Sequence, residues 1–209
     1  PYFDYTIPLK HLYNSYYTHD GQFMGWRKVY GIYDYSDTSY LAMELIEPNK
    51  FTTLYEYIVS SQFDFTVVQD CILQVCLLLN NAYTTTKVIH NNFDLWSIML
   101  NVDYGGKTVY IQNGKEEYVF NTSCTLYIIE YENMIQGSNY ECKDVFSLLV
   151  NLFYLILINI HYYPQHVVQT ITQLYHEIFK YSKSKTLQDM IECLQVFKNT
   201  SDINLRTIN

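Results

Sequence analysis

The chain has 209 residues, a formal net charge of −8 and a hydrophobic share of 49%, with 23 tyrosines and 11 phenylalanines. This length suits one domain with a sizeable core, and the apolar content excludes a disordered chain. The acidic balance argues against nucleic acid as a partner, because proteins that bind phosphate backbones usually present a basic face.

The first elements predicted along the chain are two strands and a short helix. Residues 1–28 are aromatic and irregular, and their pattern predicts no element. Residues 29–35 and 39–46 are rich in β-forming side chains and are separated by a turn composition, which predicts a hairpin. Residues 54–59 form a short helix, and either of the two threonines before it can serve as the N-cap.

A long helix is the clearest prediction in the middle of the chain. Within residues 65–83, apolar side chains recur at helical spacing over a wide surface, so this helix should be mostly buried. A strand at 98–102 follows, and the pair Gly105-Gly106 predicts a turn after it.

A second hairpin is predicted beyond that turn. Residues 108–112 and 117–120 are β-rich and flank Asn113-Gly114, a strong signal for a tight hairpin turn. Residues 126–131 have the composition of another short strand.

The last third of the chain is predicted to be helical, at 144–160, 167–179 and 187–197. The uncharged run 145–160 is shorter than the roughly 20 residues that cross a bilayer, so we expect a buried core helix and no membrane span. Strands followed by helices predict an α+β fold.

The five cysteines are scattered through apolar segments and lack the CxxC spacing of zinc sites. They predict buried free thiols in a reducing compartment. Their positions are Cys71, Cys76, Cys124, Cys142 and Cys193.

The most informative stretch is residues 88–100, between the long helix and the strand at 98–102. After two apolar residues it contains His90, then Asn92, and then Ser97 directly before Ile-Met-Leu. Farther along, Ile-Ile precedes Glu130, and Asp144 opens the first of the late helices.

In this order the segments resemble the atypical serine/threonine protein kinases of large DNA viruses. The catalytic loop of that family reads His-Asn-Asp-Leu-His, two residues, then Asn-Ile-Met, and its second metal motif reads Ile-Ile-Asp-Phe-Gly. Asn92 therefore stands for the catalytic Asp, Ser97 for the metal-binding Asn, and Glu130 for the metal-binding Asp. Asp144 matches the residue that anchors the catalytic-loop backbone in kinases.

The resemblance covers most of residues 29–197 and implies a protein-kinase-like α+β fold, mainly the helical C-lobe with a reduced N-lobe. Residues 1–46 correspond to remnant N-lobe strands and an irregular N-terminal segment, and residues 47–209 to the C-lobe. No G-x-G-x-x-G loop and no Val-Ala-Ile-Lys-like strand occurs, so the residues that clamp ATP in kinases are missing.

Three substitutions in the matched motifs remove the chemistry of phosphoryl transfer. That reaction needs an Asp to accept the hydroxyl proton, and an Asn and an Asp to hold Mg²⁺. Asn92 is neutral and cannot act as a base, and Ser97 is a shorter ligand than Asn. Glu130 moves its charge by one methylene, whereas Mg²⁺ demands near-ideal octahedral geometry. The sequence predicts a pseudokinase with no catalytic residue, no metal and no cofactor.

Four interpretations of these motifs can be compared. The first is a pseudokinase that acts as a protein-interaction or structural module, such as a component of a viral particle, in the host-cell cytoplasm or the particle. Its abundant tyrosines suit interfaces. The second is a residual atypical kinase or nucleotide-binding protein that uses Glu130 and Asp94 as metal ligands. The third, a relative of aminoglycoside phosphotransferases, fails on the same missing Asp. The fourth is an accidental loop match in another α+β domain.

Overall fold

The computed structural model describes residues 12–137, 142–181, 186, 189, 191 and 204–207, and within them the fold is α+β, as predicted. The strands are β1 Tyr16–Thr18, β2 Gly25–Trp26, β3 Val29–Tyr35, β4 Thr38–Met43, β5 Thr52–Thr53, β6 Val88–Ile89, β7 Ile98–Asn113, β8 Glu116–Ile128, β9 Ile135–Gln136 and β10 Asn204–Thr207. The helices with described bounds are α1 Leu54–Val59, α2 Phe65–Thr86, α3 Lys143–Ile158 and α4 Gln165–Tyr181.

The largest sheet is built around the long hairpin of β7 and β8. Strand β1 pairs with β7, β10 pairs with β8, and the short strands β5 and β2 lie beside β7 and β8 respectively. The hairpin predicted across Asn113-Gly114 is confirmed, and Gly114 adopts the positive φ of 65° that its tight turn requires. Strands β1 and β2 are too short for alternation to reveal them in the sequence.

The turn predicted at Gly105-Gly106 is wrong. Strand β7 continues through both glycines, and its pairing with β8 shifts register between Val102 and Lys107. Gly106 has a φ of 75°, which a bulge inside a strand accommodates and most other residues avoid. A glycine pair in a β-rich segment is thus compatible with a turn or a bulge, and only the pairing partner distinguishes them.

The hairpin predicted at the start of the chain is confirmed as β3 and β4, although β4 ends at Met43. Among the described residues these strands pair only with each other and form a separate two-stranded sheet. Val29 is the one buried residue in the two strands. The base of the hairpin is joined by the Glu44 N–H, which donates to the Lys28 carbonyl at 2.8 Å.

Helix α2 is the central core element. It packs against β7 and β8 on one side and against α3 on another, and most of its residues are buried. This confirms the predicted buried helix, which extends three residues farther, to Thr86, and ends at Lys87 in the left-handed conformation. Helix α1 is capped by Thr53, whose hydroxyl forms a capping box with the Glu56 carboxylate.

Helix α2 is also, among the described residues, the one helix long and apolar enough to cross a membrane. However, 83% of its most apolar window is buried inside the protein, as in the core helix of a globular domain. Helix α3, which contains most of the uncharged run 145–160, has 16 residues.

Helices α3 and α4 confirm two of the late helices predicted from the sequence. They pack against each other, with the rings of Phe153 and Tyr175 stacked at a centroid distance of 4.2 Å. The helix predicted at 187–197 lies outside the described residues apart from isolated positions. Four cysteines are buried, as expected, and no disulfide bond joins them to each other; they are Cys71, Cys76, Cys124 and Cys142. Cys193 lies outside the described residues.

Gly25 provides a test of the packing between β1, β2 and α2. A Cβ at this position would lie 2.8 Å from Tyr16 Cδ1 and 3.0 Å from Leu78 Cδ2, and φ is +83°. Gly25→Ala should therefore combine a positive-φ cost of about 1 kcal/mol with overpacking of about 1–3 kcal/mol. Equilibrium denaturation measures the loss.

Gly21→Ala is the matched control, because Gly21 has nearly the same φ, +80°, and open space around the added methyl group. Its free energy of unfolding should fall by the positive-φ cost alone, about 1 kcal/mol. Equal losses in the two variants would contradict the close approach of β1 and α2 at Gly25.

Candidate functional site

A buried carboxylate at the start of α3 holds the loop that carries the candidate site. Asp144 accepts a hydrogen bond from the His90 N–H at 2.6 Å and a second from the Asn91 N–H at 2.8 Å, one on each oxygen. Burial raises the pKa of Asp144, and the two N–H groups and the nearby His90 and Lys143 act in the opposite direction. This pair of bonds attaches the loop backbone to α3 across more than fifty residues of sequence.

The His90 ring connects the loop to the segment after β8. The ring is buried, and its Nε2 lies 2.7 Å from the Ile129 carbonyl oxygen. Since a carbonyl only accepts, Nε2 carries the proton. Nδ1 is buried and has no hydrogen-bond partner among the described residues. The rings of Phe93 and Tyr131 lie edge-on to His90, with centroids at 4.9 and 6.4 Å.

Ser97 and Glu130, the two positions matched to metal ligands, contact each other. The Ser97 hydroxyl is buried and lies 3.1 Å from Glu130 Oε2 and 3.2 Å from Asp94 Oδ1. Its single proton can be donated fully to only one of these acceptors. Glu130 adopts the left-handed conformation, with φ of 67°, directly after the extended segment that follows β8.

Asp94 has a structural task within the loop. Its Oδ1 accepts hydrogen bonds from the backbone N–H groups of Trp96, at 2.8 Å, and Ser97, at 3.1 Å. These bonds close a local turn of the Asx type and fix Ser97 beside Glu130. A metal ion bound at Oδ1 would compete with both N–H groups for that oxygen.

Asn92, which the sequence resemblance matches to a catalytic Asp, is exposed, and its side chain makes no hydrogen bond to a described residue. The structure therefore brings Ser97, Asp94 and Glu130 together and leaves the Asn92 amide in solvent. Among the described residues, no group of three or more His, Cys, Asp or Glu side chains is arranged to hold a metal ion. Asp94 and Glu130 are two carboxylates on either side of the Ser97 hydroxyl.

Two aromatic side chains next to these positions differ in burial. Tyr131 is buried, and its hydroxyl lies 2.7 Å from the Ile128 carbonyl and 3.0 Å from that of Arg27; burial raises its pKa. Trp96 stacks on Tyr55 at a centroid distance of 4.3 Å and lines a cavity of about 300 Å³. Tyr131 thus belongs to the core, whereas Trp96 faces the surface.

A second buried polar network was not recognised in the sequence. Asp70 accepts from the Ser123 N–H at 3.0 Å and from the Thr122 hydroxyl at 3.0 Å. Gln74 Nε2 donates to the Cys124 carbonyl at 3.1 Å, and its oxygen accepts from the Tyr16 hydroxyl at 2.5 Å. Two polar residues four apart on an apolar helix are a usable signal for such a network.

Comparisons with known proteins identify no relative. No protein-family model, no curated protein and no solved structure matches this chain.

The anchor at Asp144 can be tested by one isosteric substitution. Asp144→Asn keeps one acceptor oxygen but turns an amide N–H₂ group toward a backbone N–H, which leaves a buried donor unsatisfied. We expect the free energy of unfolding to fall by about 1–3 kcal/mol, measured by chemical denaturation.

Asp37→Asn is the control, because it makes the same chemical change at an exposed position in the turn of the first hairpin. Its stability should be close to that of the unsubstituted chain. An Asp144→Asn chain as stable as this control would show that the loop does not depend on the carboxylate.

Proposed function

We propose that this chain is a catalytically inactive, protein-kinase-like module that works by binding protein partners or as a structural part of a larger assembly, such as a viral particle. Its place is the host-cell cytoplasm or the particle. The observation that carries the proposal is the loop at 90–97, where the side chains at the metal positions bond to each other and the base position holds the neutral Asn92.

The contacts that support a kinase-like relationship are those that hold the loop. In the family that the sequence resembles, an Asp at the head of a buried helix anchors the catalytic-loop backbone. Asp144 accepts hydrogen bonds from the backbone of His90 and Asn91. The His90 ring in turn donates to the carbonyl directly before Glu130. These bonds join the segments around His90, Glu130 and Asp144, which are the segments matched to kinase motifs.

The inactivity follows from the chemistry at three positions. Transfer of a phosphoryl group needs a base for the attacking hydroxyl, and an amide such as that of Asn92 has no basic site at neutral pH. The Ser97 hydroxyl lies within hydrogen-bond distance of both Glu130 and Asp94, so a metal bound at these carboxylates would have to displace it. Asp94 is further occupied by two backbone N–H groups.

The surface supports a binding role. The β3–β4 hairpin exposes most of its aromatic side chains, and Tyr154 and Tyr162, near the end of α3, are 66% and 84% exposed. Tyrosine contributes large contact area and a hydrogen-bonding hydroxyl with little loss of side-chain freedom, so it is frequent in protein interfaces.

One observation favours a second candidate, a residual nucleotide-binding protein. Glu130 keeps a negative charge at a metal position, and Asp94 lies on the other side of the same hydroxyl. Two carboxylates together with phosphate oxygens and water are a common ligand set for Mg²⁺. This candidate requires that Mg²⁺ and nucleotide bind together.

Thermal unfolding with and without millimolar Mg²⁺-ATP separates the two candidates. A nucleotide present at a hundred times its Kd adds about 2.7 kcal/mol to the free energy of unfolding. For a chain of this size that raises Tm by several degrees. We expect no rise in Tm and no transfer of phosphate to the chain or to a generic protein substrate.

Glu130→Gln is the informative variant, because it removes the one carboxylate at a matched metal position and keeps the side-chain length. An increase in Tm with Mg²⁺-ATP that disappears in Glu130→Gln would overturn the proposed function in favour of residual nucleotide binding. An increase of equal size in both chains would indicate nucleotide binding at another place.

A further inference from the structure

The β3–β4 hairpin exposes an unusual amount of apolar surface for so small an element. Of its two strands, only Val29 is buried, and Tyr35 is 75% exposed. An isolated two-stranded hairpin is marginally stable in water, since neither of its faces is covered. The exposed large side chains in and directly after the hairpin are Tyr30, Ile32, Tyr33, Tyr35, Tyr40, Leu41 and Leu45.

The register of the hairpin sorts its side chains onto two faces. Tyr33 lies opposite Tyr40 and Tyr35 opposite Thr38, so these residues share one face, because directly paired residues point to the same side. Ile32 opposite Leu41 belongs to the other face. The first face is therefore a tyrosine surface, on which aromatic rings and hydroxyls are both available to a partner.

The charge at the tip of the hairpin is of one sign. Residues 29–47 contain four acidic residues, Asp34, Asp37, Glu44 and Glu47, and no lysine or arginine. Arg27 and Lys28 directly precede this stretch, and Arg27 Nε donates to the Glu44 carbonyl at 2.6 Å, so these cations lie at the base of the hairpin, whereas Asp34 and Asp37 lie toward its tip. Glu47 pairs with Lys50 at 2.8 Å, just beyond this stretch. Asp34 accepts a hydrogen bond from the Ser39 hydroxyl, and Asp37 stands exposed in the turn. An acidic surface of this kind attracts a basic partner.

The backbone of the hairpin can accept a further strand. Among the described residues, β3 and β4 pair only with each other, so the outer edge of each strand has backbone N–H and C=O groups free of strand pairing. An extended peptide can add to such an edge by main-chain hydrogen bonds, while its alternate side chains contact one face.

We propose that the β3–β4 hairpin binds an extended, basic segment of a partner protein as an added strand. Apolar side chains of the segment pack on the tyrosine face of Tyr33, Tyr35 and Tyr40, and its lysines or arginines lie near Asp34 and Asp37. This docking site rests on the proposed function, because it names the partner surface of the interaction module.

A second copy of this chain fits the same surface poorly. Pairing two copies edge to edge would bring the acidic residues of one hairpin beside those of the other, and like charges across adjacent strands are destabilising. The chain as a whole carries a net charge of −8, which opposes self-association further.

The experiment uses the full chain and an acetylated, amidated octapeptide of alternating lysine and valine. Two-dimensional amide NMR of the labelled chain should show saturable shifts confined to residues 29–44. The same peptide N-methylated at every second residue cannot donate backbone hydrogen bonds along one of its edges. It should bind at least about tenfold more weakly than the unmethylated peptide.

Charge is tested with two double variants that change the net charge equally. Asp34→Asn with Asp37→Asn should weaken binding of the lysine–valine peptide about fivefold, the size expected for two exposed ion pairs. Asp103→Asn with Glu116→Gln, both on the large sheet, should leave the affinity within about twofold. The double variant Tyr33→Ser with Tyr40→Ser should weaken binding of the lysine–valine peptide and leave the salt dependence of that binding unchanged.

The proposal fails if the lysine–valine peptide gives no saturable shifts, or if a glutamate–valine peptide binds equally well. It also fails if the two charge variants bind the lysine–valine peptide with equal affinity. A dimer in sedimentation that dissociates in Tyr33→Ser with Tyr40→Ser would likewise overturn it, because the occupant of the hairpin would then be a second copy of the chain. Nucleotide binding would overturn the proposed function and leave the hairpin result untouched, so the two failures are distinguishable.

Discussion

The rest of the candidate site depends on the two hydrogen bonds that Asp144 accepts from the loop backbone. A buried carboxylate is costly unless its oxygens are bonded, and a loop whose N–H groups point inward needs acceptors. The Asp144 carboxylate accepts from the loop N–H groups, and the loop thereby gains the acceptors that it needs. The position of the loop therefore depends on α3. Once this contact exists, His90 reaches the Ile129 carbonyl and the segment carrying Glu130 lies beside Ser97.

The same constraint on buried polar groups underlies the proposed inactivity of the loop. An active site keeps strong acceptors unpaired and directed at a substrate, whereas Asp94 here accepts two backbone N–H groups and Glu130 is bonded to the Ser97 hydroxyl. The carboxylates of the loop are thus bonded within the chain, whereas His90 Nδ1 and Trp26 Nε1 are buried without a hydrogen-bond partner among the described residues. Exposed tyrosines and acidic residues lie elsewhere, on the β3–β4 hairpin.

Much of the fold could be predicted because local signals and burial agree. The apolar pattern of α2, the threonine cap of α1 and the Asn113-Gly114 turn each act over a few residues, and all three are confirmed. The turn predicted at Gly105-Gly106 is wrong because the local signal is ambiguous. A glycine pair permits both a turn and a bulge, and pairing with β8 determines that a bulge forms. Strands β1 and β2 could not be predicted because two or three residues are too few to show alternation. Their pairing partners also lie far away in the sequence.

For the site, the sequence by itself determined the residue types at each matched position, and with them the absence of a base at Asn92 and the shortened side chain at Ser97. Those facts depend on covalent structure alone. Only the tertiary structure decided which of these groups meet: that Asp144 holds the loop, that Ser97 lies between Asp94 and Glu130, and that the Asn92 side chain faces solvent. Such contacts join residues up to 54 positions apart, and no local pattern encodes them.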